Sequence, residues 1–194
     1  MKKVTKPHLP AFDLKPPTQR EKERFLRAMQ EDLSELANQP LSILVWGPGT
    51  SQTSPAARKR VQIRDELLKL DHNAMFSEEL EQFGQGKVLK LQELAQARNA
   101  HQVIILWEDA PGAMGEAHDF ANLPNIAWKF YILIPKRYEK GYSSQGALLF
   151  LKHLWNSVYW YEEGELESCS VLGKVLERTD VLRQFFACSG AAAL

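Results

Sequence analysis

Four short apolar runs recur along the chain: Leu41–Val45, Ala74–Phe76, Val103–Leu106 and Trp128–Ile134. They are rich in Ile, Leu, Val and aromatic residues, which suits buried strands and not whole helices. Between them, apolar residues fall at helical spacing. Val61, Ile63, Leu67, Leu68 and Leu70 pattern a helix over 55–70, and Val88, Leu91, Leu94, Ala95 and Ala97 another over 87–99. A third is expected over 113–121 and a fourth over 143–153. Strand and helix alternating in this way predict a parallel sheet with right-handed crossovers and a helical layer on each face. The expected fold is α/β, a flavodoxin- or Rossmann-like three-layer arrangement. Its sheet has four strands, or five if the aromatic stretch beginning at Val158 adds one. Val171–Phe186 closes the domain as a last helix.

The chain has 194 residues with 24 Lys+Arg against 24 Asp+Glu. Zero net charge removes the bulk electrostatic drive toward nucleic acid, so direct nucleic-acid binding is not indicated. No apolar run approaches the roughly 18 residues that span a bilayer. The first residues are basic but lack the apolar core of a signal peptide. Cys169 and Cys188 have no metal spacing. Together these features point to a cytoplasmic, reduced protein without a membrane association and without a bound metal.

Residues 1–17 carry four Lys, one Asp and several prolines, and read as a flexible basic arm. Residues 18–40 are expected as an N-terminal helix. Thr18 and Glu21 have capping-box spacing, and Phe25, Met29, Leu33 and Leu36 make one apolar stripe. Residues 41–186 form the α/β domain, and 187–194 a disordered tail.

In a parallel sheet, the residues that follow each strand gather at the carboxyl edge, where open α/β folds bind their ligands. Gly47 and Gly49 follow the first strand, and Ser77, Glu78 and Glu79 the second. Glu108, Asp109 and a Pro111-Gly112-Ala113 turn follow the third, with Glu116 expected in the first turn of the next helix. The glycine loop is neither a P-loop, since no GKS or GKT follows, nor a dinucleotide fingerprint. The acids admit three readings. Carboxylates stabilise or attack the oxocarbenium-like sugar formed when an N-glycosidic bond breaks. They also bind Mg²⁺. Finally, acids at loops and helix starts are often only solvated, and Glu116 would then favour a helix dipole.

The segment VIILWEDAPGAMGEAHDF resembles the signature of the nucleoside 2-deoxyribosyltransferase-like superfamily. It is closest to the TIR-like relatives that act as toxic effectors in retron and other antiphage systems. The matching positions are Glu108, Asp109, Pro111, Gly112, Ala113, Glu116 and Phe120, and the likeness runs over residues 41–155. Two positions depart from the family pattern: Ala113 stands where a serine is usual, and Ala117-His118 where a glycine is frequent. The resemblance implies an N-glycosidase acting on NAD or a nucleotide, with no cofactor beyond that substrate. Glu116 and Asp109 would be catalytic. Gly47, Gly49, Ser77, Glu78, Glu108, Pro111, Gly112, Ala113 and Met114 would bind substrate, and Arg58 and Arg60 would make outer phosphate contacts. It further implies a homo-oligomer, with the N-terminal helix serving dimerisation, and a defence-system protein partner. The alternatives are a non-catalytic nucleotide sensor or scaffold of the same fold, and a Mg²⁺-dependent hydrolase.

Overall fold

The computed structural model describes residues 16–51, 53–80, 89–108, 110–141 and 146–189. The basic arm up to residue 15, Asp109, the expected helix start at residues 87–88, residues 143–145 of the expected fourth helix and the last five residues lie outside the described residues. The chain divides into two units, Met1–Glu35 and Leu36–Leu194.

The first unit holds most of α1 (Gln19–Ala37). Its start is a capping box. The Thr18 N–H donates to Glu21 Oε2 at 2.7 Å, and the Glu21 N–H donates to Thr18 Oγ1 at 3.3 Å. Two backbone donors that a helix start leaves orphaned are thereby satisfied. Phe25, Leu26, Met29 and Leu33 are exposed.

The second unit runs β1 (Ser42–Trp46), α2 (Pro55–Lys69), β2 (Asn73–Phe76), α3 (Ser77–Leu80) and α4 (Leu89–Asn99). It continues with β3 (Gln102–Leu106), α5 (Pro111–Phe120), α6 (Pro124–Ala127), β4 (Phe130–Pro135), α7 (Ala147–Trp155), β5 (Val158–Tyr161) and α8 (Cys169–Ser189). The five strands form one sheet in the order β2-β1-β3-β4-β5. Every pairing is parallel. This is the expected flavodoxin- or Rossmann-like α/β architecture.

Successive strand residues feed opposite layers, as the two-residue period of a strand requires. Leu44, Trp46, Val103, Ile105, Phe130 and Ile132 pack with Ala97 of α4, Ala117 and Phe120 of α5 and Leu148 of α7. Ile43, Val45, Ile104, Leu106 and Leu133 pack with Ile63 and Leu67 of α2 and Val171 and Val175 of α8. The central strands are buried on both faces, which explains their unbroken apolar runs. No helix among the described residues is long and apolar enough to cross a membrane.

Several local expectations need correction. Trp128 and Lys129 form a turn, because the short helix α6 ends at Ala127, so β4 starts at Phe130. Pro135 is the last residue of β4 and does not stop it short; its register partner is Tyr161. Leu91 and Ala95 of α4 are exposed. Leu94 and Ala97 do turn inward, half-buried and buried as expected, and Glu93 and Gln96 join them half-buried on one i, i+3, i+4 face. Lys59 and Arg60 of α2 are buried despite their charge. His101 is more than a polar strand start. Its Nδ1 accepts the Ser42 N–H at 2.8 Å, as His72 Nδ1 accepts the Leu41 N–H at 3.2 Å.

Candidate functional site

The connections out of β1 and β3 diverge. The chain leaves β1 for β2 on one side, then crosses to β3 on the other. Adjacent strands whose connections run apart open a crevice at their carboxyl ends, and this topology puts it between β1 and β3. Gly47 sits at its floor with φ +152°. A Cβ there would lie 3.0 Å from Leu106 Cβ and 3.1 Å from Leu106 O. Only glycine lets the end of β1 close on the end of β3 this tightly.

Arg60 reaches this edge from α2. It is fully buried, and all five of its N–H donors are used. Nε and Nη2 donate to Val45 O at 3.0 and 2.8 Å, and Nη1 donates to Pro48 O at 2.9 Å. Nη1 and Nη2 each donate to a carboxylate oxygen of Glu78, both at 2.6 Å. The guanidinium also lies 4.5 Å from the ring centroid of Phe76. One side chain thus ties the β1 loop to the start of α3. It is a structural cation with no donor left for a phosphate. Arg58, the other expected phosphate contact, is exposed and pairs with Glu167.

Glu78 is held by this fork, with side-chain exposure of 45%. Burial opposes its ionisation. Arg60's hydrogen bonds and charge, Glu78's own backbone N–H and the Ser77 hydroxyl outweigh burial and hold its pKa below the ordinary value. Ser77 Oγ lies 3.2 Å from Glu78 Oε2.

Glu116 projects from α5, and the helix begins at Pro111, two residues earlier than expected. Glu116 is therefore in the second turn, not the first, and the helix-dipole reading loses its geometric basis, since that effect fades beyond the first turn. The half-buried carboxyl meets the side chain of Glu93 from α4. Its pKa is pushed up to about 8, first by burial, then by the hydrogen bond and charge of Glu93 and the charge of Glu78. Arg60 opposes this weakly. Burial and the neighbouring carboxylates make ionising Glu116 costly, so Glu116 holds its proton near neutral pH. The Gly112 position faces this group, since a Cβ there would lie 3.9 Å from Glu116 Oε1.

The expected site residues thus separate. Gly47, Glu78, Gly112 and Glu116 come to one place, with Ser77 against Glu78. Gly49 is half-buried in the β1 loop. Pro111, Ala113 and Met114 lie in the first turns of α5, with Ala113 buried. Glu108 is engaged elsewhere. Tyr161 donates its hydroxyl hydrogen to Glu108 Oε2 at 2.8 Å, and Arg137 pairs with Glu108 Oε1. These groups, with Pro55, Glu163, Leu166 and Glu167, line a separate cavity of about 230 Å³. Phe120 is core, packed with Trp46 and Phe130 at centroid distances of 6.3 and 6.4 Å. Trp107 and His118 meet edge to face at 5.8 Å. Among the described residues no group of three His, Cys, Asp or Glu side chains is arranged to hold a metal ion.

Sequence reasoning missed Glu93 as a site residue and mistook Arg60. Glu93 lies in an ordinary helical run, and nothing local marks it. Arg60 carried one usable signal: it lies in the turn between Ala57 and Ile63, both buried residues of the same helix.

No protein-family model matches the sequence, and no curated protein matches it. The class is therefore defined by the fold and the site: a doubly wound parallel α/β protein with a half-buried carboxyl of raised pKa, Glu116, beside its switch-point crevice.

Proposed function

We propose that the protein cleaves the N-glycosidic bond between base and ribose of a nucleotide or nucleoside, with Glu116 at the reacting C1′. The observation that carries this reading is the Glu116–Glu93 pair beside the crevice, with Glu78 fixed by Arg60 close by. Protonated Glu116 is an acid before the bond breaks and a carboxylate after it. The C1′–N bond breaks and its electron pair leaves with the base, whose nitrogen takes the proton. The carboxylate then left on Glu116 meets the cationic C1′, by bonding to it or by charge alone, and water completes the hydrolysis. Glu78 keeps free lone pairs for sugar hydroxyls, and Gly47 and Gly112 let the ribose come close.

Protonated Glu116 discriminates between the two expected substrates. Nicotinamide leaves NAD as a neutral molecule and needs no proton, whereas a purine or pyrimidine leaving as an anion does. The carboxyl pair therefore favours a nucleotide or nucleoside over NAD. The toxic, antiphage setting and a defence-system partner rest on the family resemblance over residues 41–155 alone.

The test is incubation with purine and pyrimidine nucleotides and with NAD, followed by chromatography of the released base. Free base is expected, and Glu116→Gln is expected to lower its release by about 10²–10⁴-fold. Release at the unaltered rate in that variant would remove Glu116 from the mechanism. Activity is also expected to fall as pH rises through about 8, where Glu116 loses its proton. Calorimetric binding of a nucleotide with no base release would assign the sensor role instead.

A further inference from the structure

A cavity of about 270 Å³ lies where α8 packs on the starts of β4 and β5. It is separate from the crevice in two respects. Tyr131 in its wall packs in the layer of α2 and α8, whereas α5, which carries Glu116, belongs to the other layer. Tyr131 and Val158 also stand at the starts of their strands, whereas the crevice lies at carboxyl ends. A ligand here is not the molecule held at Glu116.

Arg178 of α8 forms part of the wall and is half-buried. Its Nη2 donates to Trp128 O at 3.2 Å. No other donor of that side chain has a partner among the described residues, and Nε is closed off from solvent as well. Burial lowers its pKa, and the influence opposing this is Tyr131, not a carboxylate. Glu177, on the same wall, is taken by Lys174 at 2.7 Å. Arg60 is equally withdrawn from water but is answered by Glu78 and two carbonyls; Arg178 is not. A cation removed from water is costly unless an anion or a full set of acceptors answers it. Tyr131 adds a second donor. It is 7% exposed, and burial pushes its pKa up to about 12 against the charge of Arg178, so the hydroxyl keeps its hydrogen at neutral pH. No hydrogen bond among the described residues occupies that hydroxyl. Val158 and Val181 supply apolar wall beside these donors.

We propose that this cavity binds a small organic anion, with its carboxylate or phosphate oxygens on Arg178 and the Tyr131 hydroxyl and its apolar part against Val158 and Val181. The planar donors of arginine suit either oxyanion. The volume falls just below the range of about 300–1,000 Å³ that holds drug-sized ligands, so the ligand is a small one.

Calorimetric titration of the full chain at pH 7 with benzoate and with phenyl phosphate tests this. Saturable binding of at least one of them, with Kd of about 1 mM or tighter, is expected. The tighter of the two identifies the oxyanion. Benzamide, which has the ring without the charge, should bind at least about tenfold more weakly than benzoate. Inorganic phosphate, which has the charge without the ring, should likewise bind more weakly than phenyl phosphate. Arg178→Met should abolish binding. Two further variants keep the test decisive should that one fail to fold. Tyr131→Phe retains the ring and should weaken binding about tenfold. Val181→Glu alters an exposed position and should weaken it by repulsion. Failure of both probes to bind at that strength overturns the proposal. So does binding unchanged in Arg178→Met or Tyr131→Phe protein, or benzamide held as tightly as benzoate. Inorganic phosphate held as tightly as phenyl phosphate would mean a site for a bare ion and overturns it too.

Discussion

Gly47 combines two constraints, a positive φ of +152° and a Cβ position 3.0 Å from Leu106. Alanine there must strain its backbone and push on an adjacent strand. Gly47→Ala is expected to lower stability by about 2 kcal/mol, measured by urea unfolding. Glu116 makes a different kind of prediction. Its folded pKa of about 8 lies above its ordinary value of 4.5, so between those values the folded state holds a proton the unfolded state has lost. The sign follows: stability falls as pH rises through that window. Glu116→Gln removes the ionisable group, and the variant's thermal midpoint should gain on the unaltered protein from pH 5 to pH 9. An unchanged difference across that range would mean that the carboxyl is not held protonated. Gly47 and Glu116 were both legible in the sequence, because a residue just past a strand or turn is placed by local patterning. Asp109 was singled out by the same logic and lies outside the described residues.

At the scale of elements, β1 is held at its start by two histidines from distant segments. His72 accepts the N–H of Leu41 and His101 that of Ser42, and both imidazoles must be neutral at Nδ1 to do so. Burial is the first cause that lowers both pKa values below 6.5; nearby Arg183 adds to this for His72, and Lys129 for His101. A histidine depressed in the fold binds its proton more readily once unfolded. Stability from these contacts is complete above about 6.5 and is lost as pH falls below it. Thermal midpoints should therefore decline from pH 7 to pH 5, with a smaller decline in His72→Gln, His101→Gln protein. A decline of the same size would place the acid sensitivity elsewhere. The strands and most helices were readable from their two- and 3.6-residue periods. The inward face of α4 was not, because its burial is decided by α5 and the sheet edge: Glu93 is turned inward to meet Glu116, while Leu91 is left exposed.

At the scale of the molecule, the buried apolar side chains among the described residues run from Leu41 to Leu182, so the second unit carries its own stabilising interior. A chain starting at Asn38 is expected to unfold in a single transition with a denaturant midpoint close to that of the full chain. A large drop in midpoint would show that residues 1–37 are part of the folding unit.

The sequence by itself determined the alternation of strand and helix and the parallel sheet they build. It also marked Glu78, Gly112 and Glu116, since period, turn chemistry and strand ends are local properties. Tertiary structure alone decided the partners. It drew Arg60 into full use by Val45, Pro48 and Glu78, and gave Glu108 to Tyr161 and Arg137. It also buried Glu116 and set Glu93 against it, so that Glu116 keeps its proton at neutral pH. Burial and charge proximity arise between segments far apart in the chain, and no local pattern encodes them.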